Sequence, residues 1–85
     1  ILSNNPSKIE YINNGILISD SKKICYVYES DGKIWLKQID TLADSFSTGY
    51  YDEKDDQLTL FDWRGKAIAK VSVSDAYEVV ANDRQ

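Results

Sequence analysis

From Ile24 the chain reads ICYVYESDGKIWLKQI, with apolar side chains alternating about a short polar stretch. In the first arm Ile24, Tyr26 and Tyr28 share one face and Cys25 and Val27 share the other, because successive strand side chains point to opposite sides. Ser30-Asp31-Gly32 supplies a turn. The second arm runs from about Lys33 to Ile39, with Ile34 and Leu36 facing opposite to Trp35, Lys37 and Ile39. β-branched and aromatic residues dominate both arms, as pleated strands favour.

The same pattern recurs along the chain. KIEYINNGILIS predicts strands from Lys8 to Ile12 and from Ile16 to Ser19, on either side of Asn13-Asn14-Gly15. Asparagine and glycine accept the positive φ that a tight hairpin turn requires. YYDEKDDQLTLFDW predicts a turn at Lys54-Asp55-Asp56, with Leu58 and Leu60 on one face. After Arg64-Gly65, KAIAKVSVS sets Ala67, Ala69, Val71 and Val73 together, a small-residue face that a sheet or partner can approach closely. DTLADSFSTG breaks the alternation and reads as a loop or bulge, being too short for an independent helix. DAYEVVAND fits a last strand or a short helix equally, and the closing NDRQ reads as a tail or linker.

Short strands separated by turns at regular spacing predict one all-β domain over residues 1–85. The expected architecture is a small antiparallel β-sandwich or barrel built from consecutive hairpins, with little or no helix. A parallel sheet would need crossover segments that the pattern does not contain.

Composition narrows the function. Hydrophobic residues make up 42% of the chain, ordinary globular usage, which argues against wholesale disorder. The net charge of −4 repels phosphate backbones, so no nucleic-acid partner is expected. The apolar runs are far too short for a membrane-spanning helix, and no membrane partner is expected. The chain opens Ile1-Leu2-Ser3 and has no methionine, which leads us to expect a processed product or a piece of a larger protein or assembly. A domain of 85 residues is marginally stable by itself and often completes its burial against a neighbour.

Candidate chemistry is sparse. Histidine is absent, which removes the commonest general base and metal ligand. The single cysteine, Cys25, excludes an internal disulfide and a multi-cysteine zinc site, and its strand position suits a small buried hydrophobe. Asp52, Glu53, Asp55, Asp56 and Asp62 invite a calcium reading, but the cluster has no internal glycine and departs from the EF-hand spacing. A solvated turn that discourages edge pairing is the simpler reading. No enzyme activity, metal or other cofactor is expected.

The aromatic residues are the more informative set. Adjacent Tyr50 and Tyr51 must point to opposite faces, so one of them faces solvent, a second sheet or another chain. Trp63 stands in the turn Asp62-Trp63-Arg64-Gly65, where it either covers the end of its own sheet or touches something outside. With Trp35 these form the candidate binding residues: Trp35, Tyr50, Tyr51 and Trp63.

The stretch GYYDEKDDQLTLFDWRGKAIAKVSVSDA, residues 49–76, resembles hairpin modules of bacteriophage tail, fibre and other virion structural proteins. The resemblance implies a structural or receptor-contacting role without catalysis, in a homo-oligomer or larger assembly, on a virion or in an extracellular setting. The leading expectation is a non-catalytic assembly domain that contacts other protein subunits. The alternative is a carbohydrate- or peptide-binding module that uses its exposed aromatics as a platform.

Overall fold

Eight strands follow one another in the computed structural model, which describes residues 8–19, 23–39 and 46–80. They are β1 (Lys8–Ile12), β2 (Gly15–Ser19), β3 (Ile24–Ser30), β4 (Lys33–Ile39), β5 (Thr48–Asp52), β6 (Gln57–Phe61), β7 (Ala67–Ser72) and β8 (Tyr77–Glu78). Among the described residues there is no helix. Five strands in the order β1-β2-β3-β4-β8 form one antiparallel sheet, and β5-β6-β7 form a second. The two stacked sheets form a small all-β sandwich, as the alternation predicts, built from consecutive hairpins except for β8, which returns to pair with β4. The segment around Thr41 lies outside the described residues.

Turn chemistry sets the registers. Asp31 and Gly32 both take positive φ, 56° and 73°, the left-handed pair a two-residue hairpin loop needs. They place Ser30 opposite Lys33 and, six residues back, Ile24 opposite Ile39. Asn13 and Asn14 behave differently. Neither adopts the positive φ expected of them, and their side chains are used for contacts elsewhere. Tyr77 and Glu78 settle the ambiguous DAYEVV segment as a short strand against β4, extended by a bond from the Val79 N–H to the Ile34 carbonyl, 2.8 Å.

Leu17, Ile24, Tyr26 and Ile39 from the larger sheet meet Leu58, Leu60 and Val73 in the core, with Phe46 beside them. At Gly49 the sheets are close enough that a Cβ would lie 2.8 Å from Leu17 Cδ1, and 3.0 Å from the Thr59 carbonyl oxygen. Glycine at this position lets the layers close.

One expectation from the alternation is corrected. Between Leu60 and Phe61 the pairing slips, so that Leu60 opposes Ala69 while Phe61 opposes Ala67. The extra residue is Ile68, and it packs against the core with Ala69 and Val71 while Ala67 is exposed. A bulge inserts one residue and re-aims its neighbours, which simple alternation cannot show.

A side-chain seam closes the sandwich at the β1/β5 corner. The Lys8 ammonium donates to the Phe46 carbonyl at 2.7 Å and lies 4.5 Å from the centre of that ring. At the other end the Asn13 amide donates to the Tyr51 carbonyl and accepts from the Tyr51 N–H, both at 2.9 Å. Each pair spans the same separation along the chain, 38 residues, so β1 and β5 run in the same direction side by side. They are joined by side chains instead of a backbone ladder. Asn13→Ala deletes both bonds to Tyr51 and should lower unfolding stability by about 1–2 kcal/mol. A urea denaturation midpoint equal to that of the unaltered chain would show that the seam contributes nothing.

Candidate functional site

The seam gives rise to a cleft. Asn13 and Asn14 in the β1–β2 turn, Tyr28, Glu29 and Ser30 at the end of β3, and Tyr50, Tyr51 and Glu53 at the end of β5 enclose about 490 Å³ of open space. β5 is an edge strand, so residues from both of its faces reach the opening. Tyr51 points inward and is half-buried, whereas Tyr50 leaves 55% of its surface exposed. This is the division between neighbours that strand geometry demands.

The tyrosines are held in place. Tyr26 is fully buried and stacks on Tyr28 with ring centres 5.1 Å apart, and on Tyr51 at 6.1 Å. Its hydroxyl donates to the Asn14 carbonyl at 3.2 Å and accepts from the Asn14 amide at 3.1 Å. The Tyr51 hydroxyl donates to Asp56 Oδ1 at 2.7 Å. Asp56 is available there because it ends its turn at φ 52°, a conformation Asp tolerates better than most residues.

These contacts shift the phenols. Donation to the Asp56 carboxylate, reinforced by burial, pushes Tyr51 up to about 12. Burial also raises Tyr26, against the opposing bond from Asn14, and raises Tyr28, with the Asp56 charge adding to it. Among the described residues, the rim of the cleft carries the carboxylates of Glu29 and Glu53 and no basic side chain.

The other two candidate residues lie elsewhere. Trp35 is half-buried on the inner face beside Tyr28, and its indole N–H donates to the Ser30 carbonyl at 3.3 Å, which folds it back onto its own hairpin. Trp63 does not fold back. It is 75% exposed at the tip of the β6–β7 turn, with the Arg64 guanidinium 4.7 Å from its ring centre. Asp62 builds that tip: its Oδ1 accepts from the Arg64 and Lys66 N–H groups, each at 2.9 Å, and its carbonyl accepts from Gly65. The four candidates therefore form no common platform, and only Tyr50 and Tyr51 come together.

Three of the acidic residues likewise serve local structure. Asp52 accepts from the Lys54 N–H, while Asp56 and Asp62 have the roles just described. Among the described residues no three acidic, cysteine or histidine side chains converge as a metal site would require.

A second surface stands out on the larger sheet. Strand pairing places Ile9, Tyr11, Ile16, Ile18, Cys25 and Val27 on the face turned away from the smaller sheet, followed by Ile34, Leu36 and Tyr77. Glu29 and Gln38 are the polar strand residues on that face. Cys25 and Leu36, in its central strands, are buried yet stand apart from the main core cluster. The opposed parities of Cys25 and Val27 and of Ile34 and Leu36 already indicate it in the sequence. The cleft residues Asn13, Tyr28, Glu29 and Glu53 have no comparable signal, because contacts between distant hairpins create the cleft.

Comparison of the chain with protein-family models, curated proteins and solved structures finds no match.

The raised phenols make stability depend on pH in a defined direction. The folded chain holds the Tyr51 proton more tightly than the unfolded chain, whose phenols titrate near 10. The contribution is therefore complete below pH 10 and is lost as pH climbs through about 12. Tyr51→Phe should cost about 1–2 kcal/mol at neutral pH and flatten the alkaline decline. Urea denaturation midpoints measured at neutral and alkaline pH would reject this coupling if both proteins declined in parallel.

Proposed function

We propose that this is a non-catalytic assembly domain whose contact surface is the outer face of the five-stranded sheet, and that its partner there is a second copy of the chain. A structural protein of the virion type is the setting that the resemblance over residues 49–76 implies. The supporting observation is the composition of that face, where Glu29 is the one formally charged strand residue.

Magnitudes favour a protein partner. Tyr11, Tyr77, Ile9 and Ile34 leave 75%, 50%, 51% and 44% of their surfaces exposed. With about 150–250 Å² for a covered tyrosine and roughly 100 Å² for an isoleucine, these four offer on the order of 400 Å². Half-buried Ile16, Ile18 and Val27 extend the patch between them. A standard interface takes about 800 Å² from each partner, so this face with its rim approaches what a dimer needs. Two copies can meet face to face with little like-charge repulsion despite the −4 on each chain, in the aligned manner of sheets packed about 10 Å apart.

The carbohydrate or peptide reading depends on aromatic rings presented side by side. The ring pairs among the described residues, Tyr26 with Tyr28 and Tyr26 with Tyr51, are internal packing around a buried tyrosine. This favours assembly over a ligand platform.

Sedimentation across a wide concentration range tests the proposal. The chain should shift from its 9.7 kDa mass to twice that value, and Ile9→Lys combined with Tyr11→Ser should prevent the shift. Both positions are exposed, so the double variant should retain its strand signal by circular dichroism. A monomer at every concentration would defeat the proposal, as would a dimer indifferent to the two substitutions.

A further inference from the structure

The cleft and the Trp63 tip stand at opposite ends of the smaller sheet. β5 runs into the turn that carries Glu53, and β6 then runs back to the turn that carries Trp63. The five residues of β6 separate the two by roughly 17 Å. One end offers half-buried tyrosine rings, exposed Tyr50 and two carboxylates, with no basic group on the rim among the described residues. The other offers an exposed indole with a guanidinium stacked on it. These are complementary chemistries: carboxylates take a guanidinium with charge-assisted hydrogen bonds, and tyrosine faces accept both the cation and the flat indole.

We propose that the tyrosine cleft receives the Trp63–Arg64 tip of a second copy of the chain, joining copies head to tail. This rests on the assembly reading but uses a surface that meets the outer sheet face only at Glu29. It also assigns work to an exposed tryptophan that the fold does not need.

Both partners are largely prepared for the contact. Tyr28 and Tyr51 are fixed by stacking on Tyr26 and, for Tyr51, by Asp56. The tip is fixed by the Asp62 carboxylate bonds to its backbone. Little conformational freedom remains to be lost on docking, which is the condition under which a small contact still binds. The opening of about 490 Å³ is large enough for side chains but not for a second hairpin, so the contact is small and of the weak, transient class. Because the two surfaces differ, the contact is heterologous, and repetition gives a ring or an open filament.

Complementation between variants tests this, in the Ile9→Lys, Tyr11→Ser background so that the outer face does not contribute. The cleft variant carries Glu29→Lys and Glu53→Lys, and the tip variant carries Trp63→Ser and Arg64→Glu. All four positions are exposed, so both variants should fold, as circular dichroism can verify. Each variant alone should associate at least about tenfold more weakly than the background chain. Adding the unlabelled cleft variant to the ¹⁵N-labelled tip variant pairs an intact tip with an intact cleft. Amide shifts should then concentrate at Tyr50, Tyr51 and Glu53 and weaken as salt is raised. No shift in the mixture overturns the proposal, as do shifts confined to other strands. It is also overturned if a tetra-arginine peptide or a neutral oligosaccharide produces the cleft shifts at lower concentration than the tip-bearing chain. Outer-face dimerisation that persists while complementation fails removes this inference alone.

Discussion

Asn13 carries the contact on which the arrangement of the molecule turns. Its amide presents a donor and an acceptor at nearly the spacing of a peptide group and pairs with both backbone groups of Tyr51. A side chain thus extends the edge of β5 where, among the described residues, no further strand pairs. With Lys8 bound to the Phe46 carbonyl five residues earlier, it fixes how the first hairpin lies along β5. The position of β5 then determines where Gly49 meets Leu17, where Tyr51 enters the core and where Tyr50 emerges. The cleft is the space left beside that contact, so its shape follows from the seam.

A second constraint is one of area. The five-stranded sheet has two apolar faces, and among the described residues the three strands of the second sheet cover one of them. The inner face is completed by Leu58, Leu60 and Val73, and the outer face keeps Ile9, Tyr11, Ile34 and Tyr77 in water. A domain this small has little stability in reserve. Cys25 and Leu36 at its centre are already buried, so what weakens the monomer is the apolar surface that stays exposed around them, relative to any state in which it is covered. That imbalance gives the assembly reading its physical force, because the strand residues of this surface are mostly apolar and carry one formal charge, that of Glu29.

Much of this was legible in the sequence, and the boundary is physical. Hairpin arms and their facing residues depend on interactions between near neighbours, so the alternation about Asp31-Gly32 yields the register of β3 and β4 directly. The division of Tyr50 from Tyr51 follows from the same rule. The bulge at Ile68 was hidden because it depends on how β7 meets β6, and KAIAKVSVS alternates as though the strand were regular. Asn13 was misread for a related reason. Asparagine suits positive φ locally, but here its amide serves a strand 38 residues away. Grouping by residue type also placed Trp35 with Trp63, although one is folded over its own hairpin and the other projects into solvent.

The two contact surfaces differ in kind, and the difference bears on how copies would combine. A sheet face paired with itself is two-fold and closed, so one such contact produces a dimer and stops. A tip in a cleft is directional and leaves an unused tip and an unused cleft at the ends of the pair. Because the cleft and tip lie at strand ends, pairing of the outer faces would leave the tip exposed and meet the cleft only at its Glu29 edge. A dimer joined through that face therefore presents two tips and two clefts, and head-to-tail contacts between dimers can propagate. Each tip contact is weak alone, but the face pairing makes the second contact between two dimers intramolecular, which raises its effective concentration without any new interaction. On this proposal growth would depend steeply on the face and only modestly on any one tip, so that the apolar outer sheet would control whether assembly occurs and the tyrosine cleft its direction.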